Sequence, residues 1–314
     1  MPPFEPSLVA DAALADRTPP PPRAGMGAAL RRRPWLSRLV FYAVVILVAV
    51  PLAFSEVLLR GSPQTASPPR PTYVPGSVSS DGLRLRTWTR VGRPDKPAAV
   101  IVHGLGDSLE SYVDRADVLH RRGHTVLLVD LRAHGASEGR YTTLGGRERE
   151  DVRAAMDALR AAGQAGAGLM LMGHSMGSVA VLRAAAGQRD VRAVIVEAPY
   201  DNYRANVYHH AALLYHLPSW VPIIPITIAI AEWRAGFRAD DVDAVAAARA
   251  LGAPLLVIAD GADPRMPETV ARRVADAHPG LHRVWVAPGA EHVGAILHPD
   301  YWPVVLSFLD AAGV

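Results

Sequence analysis

The segment LMLMGHSMGSVAV, residues 169–181, places one serine between two glycines directly after an apolar run. Its centre, GHSMG, fits the pattern G-x-S-x-G with Ser175 in the middle. If the run is a buried strand and a helix follows, Ser175 lies on a sharp turn where helix N–H groups can face a developing negative charge. The pattern indicates a nucleophilic serine, and an ordinary loop serine is the alternative.

Two further reactive side chains follow later apolar runs. Asp263 comes after APLLVIADGA, and His292 comes after HRVWVAPGAE. In open parallel sheets, ligands bind beyond the carboxyl ends of the strands. The sequence therefore predicts that Ser175, Asp263 and His292 meet at one edge of a sheet.

Apolar runs alternate with helical patterns over the region that would build this sheet. LRLRTWTRV alternates like a half-exposed strand, while AAVIVHG, HTVLLVD, GLMLMG, VRAVIVEAP, APLLVIAD and HRVWVAP are typical of strands buried in a sheet. Helices are predicted over residues 107–122, 147–162, 175–187, 267–277 and 300–312. The predicted fold class is α/β, with a mostly parallel, eight-stranded-type sheet and helices on both faces.

An insertion at residues 201–252 interrupts this alternation of strands and helices. It is apolar and helical in pattern, with prolines that make it a poor membrane span, and we expect a helical cap over the sheet. Its aromatic residues are typical either of an acyl channel or of a core that the cap helices bury between themselves. These aromatic residues are Tyr208, Tyr215, Trp220 and Trp233.

The N-terminal part has a different composition. Residues 1–34 are rich in Pro, Ala and Arg, which predicts a disordered tail. The uncharged run Leu39–Phe54 lies within a transmembrane anchor predicted at residues 35–59. A Pro-rich linker over 60–75 then leads into a catalytic domain over 76–314.

Positive charge precedes the predicted anchor. Arg31, Arg32, Arg33 and Arg38 lie before the apolar run, whereas Arg60 alone follows closely. The positive-inside rule then places the N-terminus in the cytoplasm and the domain on the extracytoplasmic side. A cleaved signal peptide is the alternative, although the leading segment is long and lacks a clear A-x-A site.

Composition excludes several other functions. The net charge is +3 and the arginines are scattered, with no aromatic and basic platform, so no nucleic-acid partner is expected. The absence of cysteine removes disulfides and thiolate chemistry. His209, His210 and His216 suggest a metal site, but adjacent helical histidines diverge and no carboxylate pair stands at ligand spacing, so neither metal nor cofactor is expected.

Four segments together resemble the α/β-hydrolase superfamily of serine hydrolases. They are VIVHGLGDS, LLVDLRAHGASEG, LMGHSMGS and LLVIADGADPRMP with GAEHVG, and the resemblance covers residues 76–314. With its anchor and compact cap, the chain is similar to the membrane-anchored, lysophospholipase-like members.

The resemblance implies a role for each matching residue. Ser175 would be the nucleophile, His292 the general base and acid, and Asp263 the residue that orients the imidazole. The oxyanion hole would use the backbone N–H groups of Met176 and Leu105.

The sequence leaves rival residues for two of these roles. Asp260 and Asp201 compete with Asp263 as the acid, and His298 competes with His292. His103 and His174 occupy positions that usually serve packing and hydrogen bonding. In the family, the loop DLRAHGASEG braces the site, and a purely structural turn is the alternative for its residues Asp130, Arg132, His134 and Ser137.

The function implied is hydrolysis of carboxylic esters through an acyl-enzyme, with lipid and lysolipid esters among the candidate substrates. The expected partners are a small-molecule or lipid ester and, through the anchor, the membrane. A peptidase or thioesterase with the same triad is one alternative. A non-catalytic binding protein on this fold is another.

Overall fold

The computed structural model of the protein describes residues 34–314. The tail predicted for residues 1–34 therefore lies outside the described residues, except for Pro34, which begins a helix. Arg31, Arg32 and Arg33 also lie outside them. The chain divides into two compact units at Ile46, and the larger unit, Leu47–Val314, contains every element discussed below except the first part of one helix.

The first element is helix α1, Pro34–Leu59, with a π-helical turn at Val45–Ala49. With 26 residues, this helix is long and apolar enough to cross a membrane. A signal sequence near the N-terminus meets the same criteria of length and composition. Within the larger unit, Pro51, Ser55 and Leu59 are buried at helical spacing. This last part of α1 therefore packs against the folded domain.

Short strands lie at both ends of the segment predicted as a linker, residues 60–75. Ser62–Pro63 (β1) pairs with His134–Gly135 (β6), and strand β2 already begins at Val74. Strand β2, Val74–Ser80, is a mostly exposed edge strand. Its polar, proline-containing sequence lacks the apolar run by which the interior strands are recognised.

The main sheet has eight strands. Besides β2, they are β3 Leu83–Arg90, β4 Ala98–Val102, β5 Val126–Val129, β7 Leu169–His174, β8 Val191–Glu197, β9 Leu255–Asp260 and β10 His282–Ala287. Their order across the sheet is β10-β9-β8-β7-β4-β5-β3-β2. The strands from β10 to β5 are parallel, and β3 and β2 add an antiparallel edge.

Helices cover both faces of this sheet, in two separate apolar cores. The helices are α2 Val113–Arg121, α3 Glu148–Ala161, α4 Met176–Ala185, α8 Glu268–Asp276 and α9 Tyr301–Ala311. Helices α3, α4 and α8 share one core, and α2 and α9 share the other. Successive strand residues point to opposite faces, so Val100 belongs to the first core and Ile101 to the second.

The predicted cap is present between β8 and β9. It contains α5 Tyr203–Tyr215, α6 Ile223–Ala235 and α7 Ala244–Arg249. The side chain of Asn202 accepts a hydrogen bond from the N–H of Ala205 and thereby caps α5, which ends at His216 in the left-handed conformation. Helix α6 packs against the last turns of α1.

One close approach between α4 and the sheet gives a stability test. A Cβ added at Gly177 would lie 2.4 Å from the carbonyl oxygen of His103 and 2.8 Å from that of Val102. We predict that Gly177→Ala lowers the free energy of unfolding by about 1–3 kcal/mol, because backbone atoms must move. Urea denaturation of the detergent-solubilised protein measures this change.

Gly166→Ala is the matched control, because a Cβ at Gly166 meets nothing within 4 Å. It should leave the denaturation midpoint near that of the unmodified protein. Equal midpoints for the two variants would contradict the close packing of α4 on β4.

Candidate active site

Ser175 lies on a strained turn between β7 and α4. Its φ of 51° and ψ of −116° are values that residues other than glycine rarely adopt. The N–H of Ser175 donates to the carbonyl of Glu197 at 2.8 Å, which ties the turn to the end of β8. The turn has the conformation that the G-x-S-x-G pattern predicts for an exposed nucleophile.

His292 and Asp263 form a hydrogen-bonded pair. The distance from His292 Nδ1 to Asp263 Oδ2 is 2.6 Å, and the Asp263 carboxylate is fully buried. Burial alone would raise the Asp263 pKa, but the bond to His292 and backbone N–H groups outweigh it and lower the pKa. The carboxylate thus stays ionised, and His292 Nε2 is the atom that can accept a proton.

A single cavity of about 330 Å³ brings the predicted site residues together. Ser175, Met176, Leu105 and His292 line it, and Asp263 stands behind His292. The turn HGLG runs beside the serine, since a Cβ added at Gly104 would lie 3.4 Å from the Cβ of Ser175. Leu105 on this turn and Met176 at the start of α4 both lie on the cavity wall.

The rest of the cavity wall is largely apolar, and the cap supplies much of it. The cap residues on the wall include Val207, Ala211, Leu214, Tyr215, Ile223 and Ile224. Of the cap aromatics, Tyr215 lines the cavity and Tyr208 packs against the core, whereas Trp220 and Trp233 are exposed. Tyr215 is thus a wall residue of the cavity and Tyr208 contributes to a core, whereas neither tryptophan does either.

Asp260 supports the loop that carries His292. Its two carboxylate oxygens accept the N–H of Val293 at 3.1 Å and that of Ala295 at 2.7 Å. Burial raises the Asp260 pKa to about 6, although both N–H groups oppose this rise. Asp260 therefore holds the backbone beside His292, whereas Asp263 holds the ring.

Asp201 and His298 form their hydrogen bonds away from the cavity. Asp201 accepts the N–H of Asn202 and the guanidinium of Arg273, both at 2.8 Å. His298 Nδ1 accepts the N–H of Asp300 at 3.2 Å, at the start of α9. Neither residue is among those that line the cavity.

His103 fixes the loop that carries Leu105. Its Nε2 accepts the N–H of Leu131 at 3.0 Å, so the proton is on Nδ1, which donates to the carbonyl of Gly104 at 2.7 Å. Burial, together with the charge of His134, lowers the His103 pKa to about 4. The neutral ring thereby holds the HGLG turn in one conformation.

The loop DLRAHGASEG braces the same turn from the other side. Asp130 accepts the N–H of Leu109 at 2.8 Å and that of Ala136 at 2.9 Å, and it pairs with Arg86 at 2.7 Å. These contacts join the loop to Leu109 and to strand β3.

Two buried acids near the site were not expected from the sequence. Glu148, at the start of α3, accepts four hydrogen bonds from residues 142–145, and Leu144 in this loop lines the cavity. Glu197, at the end of β8, pairs with Arg115 at 3.2 Å and accepts the hydroxyl of Tyr301. Glu197 ends a largely apolar strand, whereas Glu148 stands among other charged residues at the start of α3 and carries no signal of its own.

His174 lies between this buried network and His292. Its ring centroid is 5.2 Å from that of His292, and its Nε2 has no hydrogen-bond partner among residues 34–314. Burial first, and then the positive charges of His292 and Arg115, lower the His174 pKa to about 3. A neutral ring here adds no charge to repel a protonated His292.

Donor atoms of His174, Asp260 and His292 lie within 4.8 Å of one another. The carboxylate of Asp260 accepts two backbone N–H groups, and His292 Nδ1 is bonded to Asp263. Of the cap histidines, His209 bonds to the carbonyl of Pro264 and His210 to that of Asn206.

Comparison with known proteins supports the same fold. Residues 93–223 match the family model described as serine aminopeptidase, S33. The uncharacterised protein YqkD of Bacillus subtilis is 26% identical over 221 residues, covering 69% of this chain and 72% of YqkD.

Two solved structures are similar in fold. An esterase from Pyrococcus furiosus aligns with a TM-score of 0.64 and 22% identity, over 81% of this chain and 98% of the esterase. A bacterial membrane phospholipase A aligns with a TM-score of 0.57 and 16% identity, over 90% of this chain and 98% of the phospholipase.

The sheet order, the strained serine turn and these likenesses show that the chain has the α/β-hydrolase fold. It is an enzyme of the hydrolase class. This confirms the resemblance and the fold class predicted from the sequence.

The contacts of the two aspartates give a direct test of which one acts with His292. We predict that Asp263→Asn lowers kcat by about 10⁴-fold, because an amide favours the wrong imidazole tautomer. Asp201→Asn should leave kcat nearly unchanged, since its carboxylate bonds to Arg273. Steady-state hydrolysis of a p-nitrophenyl ester measures both, and the reverse ranking would assign the acid to Asp201.

Proposed function

We propose that this protein is a serine hydrolase that cleaves carboxylic esters, with lipid or lysolipid esters as its substrates. The observation that carries the proposal is one apolar cavity whose wall contains Ser175 and His292, with Asp263 bonded to His292 at 2.6 Å. An activated serine at the end of an apolar cavity fits an ester with a hydrocarbon acyl group.

In the first half of the reaction, the Ser175 hydroxyl attacks the ester carbonyl carbon and its proton passes to His292 Nε2. Asp263 stabilises the imidazolium that forms. The tetrahedral oxyanion accepts hydrogen bonds from the N–H groups of Met176 and Leu105. His292 then protonates the departing alcohol, which leaves the acyl group on Ser175.

In the second half, water replaces the alcohol. His292 removes a proton from this water as it attacks the acyl carbonyl, and the same N–H groups stabilise the second oxyanion. Collapse of the intermediate releases the carboxylic acid and returns the proton to Ser175. Met176 begins α4, so the positive end of this helix also faces both oxyanions.

The cavity wall favours esters over aminoacyl amides. Among the described residues, the titratable side chains on this wall include His210, Arg265 and His292, and none is a carboxylate. An aminopeptidase must bind a substrate ammonium group, and an apolar wall without a carboxylate leaves that charge unpaired.

The descriptions of the two similar solved structures also support an ester substrate. The Pyrococcus furiosus protein is described as an esterase and the second structure as a membrane phospholipase A. The family model is described as serine aminopeptidase, which is why amide substrates belong in the test.

We also infer the location and domain organisation from the sequence pattern. Helix α1 is the predicted anchor, and the domain over 76–314, with its cap at 201–252, lies on the extracytoplasmic side. The support is the length and apolar character of α1, with Arg38 near its start.

A substrate panel with one acyl chain tests the reaction class. We predict that the protein hydrolyses the dodecanoyl ester with a higher kcat/KM than the matching thioester or anilide. Ser175→Ala should lower kcat by about 10⁶-fold, to the level set by binding and the oxyanion hole alone.

Ser307→Ala, an exposed change on α9, is the matched control and should retain full activity. Esterase activity that survives Ser175→Ala would contradict the nucleophile assignment. A higher kcat/KM for an aminoacyl anilide than for the ester would replace the proposed function with a peptidase.

A further inference from the structure

The last turns of helix α1 form part of the catalytic cavity. Phe54, Val57 and Leu58 line the same cavity as Ser175 and His292. The wall of the proposed acyl site therefore includes residues from the segment that the sequence assigns to the anchor.

Several contacts hold these turns in place. The Arg234 guanidinium on α6 donates to Ser55 Oγ at 2.8 Å and to the Tyr141 hydroxyl at 3.1 Å, and it pairs with the Glu56 carboxylate. The ring of Phe54 meets that of Tyr215, edge to face, with centroids 4.9 Å apart. Polar and aromatic contacts thus join α1 to the cap at the cavity.

The helix presents different side chains to different surroundings. Pro51, Ser55 and Leu59 recur at intervals of four and are buried against the domain. Phe54 and Leu58, also four apart, line the cavity and are half-buried. Leu52 is exposed and is not part of the cavity wall. An anchor that only crosses a membrane has no need of such a division.

We propose that Phe54, Val57 and Leu58 bind the acyl chain of the substrate, so that helix α1 is a specificity element of the active site as well as an anchor. This inference rests on the proposed function. It follows that the mature enzyme retains α1, since removal of the helix would delete one wall of the cavity and expose Tyr215 and its apolar neighbours. The substrate class is an ester with a long, unbranched acyl chain, which needs an apolar wall that extends beyond the cap.

The test compares chain-length selectivity in matched tryptophan variants of the full-length protein in detergent. p-Nitrophenyl butyrate and dodecanoate are the probes. Val57→Trp adds bulk to the cavity wall at a side chain that is 57% exposed, while Leu52→Trp adds it to the same helix away from the wall. Thermal denaturation of both variants checks folding.

We expect Val57→Trp to lower the ratio of kcat/KM for dodecanoate to that for butyrate by about tenfold or more, as blocked apolar subsites do. Leu52→Trp should keep the ratio of the unmodified protein. Leu58→Ala removes an apolar side chain from the cavity wall without adding bulk, so it should also change the kcat/KM ratio. It serves as a second test of the inference if Val57→Trp folds poorly.

The outcomes separate this inference from the proposed function. Active variants that share one unchanged ratio would overturn the role of α1 and leave the ester hydrolase intact. No ester hydrolysis by the unmodified protein would overturn both. Intact mass of the membrane-extracted protein gives an independent check, because a fully active form cleaved after α1 would contradict the inference directly.

Discussion

The site depends on the strained backbone at Ser175. A serine at φ 51° and ψ −116° costs on the order of 1–3 kcal/mol, which the surrounding structure must offset. It does so by packing α4 closely on β4 at Gly177 and by bonding the Ser175 N–H to the carbonyl of Glu197. Because strands at the centre of the sheet hold this turn, the backbone at Ser175 and Met176 has one fixed conformation, which the proposed mechanism requires. Such preorganisation is the main source of electrostatic catalysis in sites of this kind.

Around this turn, buried charges and neutral rings have separate tasks. Asp263 keeps its charge and holds the imidazole of His292, while Asp260 and Glu148 hold the backbone of loops on either side of the cavity. His103 and His174 stay neutral because burial lowers their pKa values. The arrangement concentrates the reactive charge on one pair. Backbone N–H groups satisfy Asp260 and Glu148, whereas Arg115 and Tyr301 satisfy Glu197.

Much of this could be predicted from the sequence, because the interior strands are continuous apolar runs and each predicted triad residue follows one of them. The topology thus brings Ser175 and His292 to one cavity wall and Asp263 to within hydrogen-bonding distance of His292. Strand β2 was missed because a polar, proline-containing edge strand carries no such run. The part that Phe54 plays in the cavity could not be predicted, since an apolar anchor already explains an apolar residue and its contact with Tyr215 is tertiary. Lone acids such as Glu197 gave too little pattern to assign.

The measurement that tests this account most directly is covalent labelling of the membrane-extracted protein with a fluorophosphonate, followed by peptide mass mapping. Such a probe reacts with a serine whose hydroxyl is activated by a neighbouring base and whose oxyanion is stabilised. The account predicts one adduct, on Ser175, in the folded protein and none after denaturation. An adduct on a different serine, or no adduct on a protein shown to be folded, would contradict it.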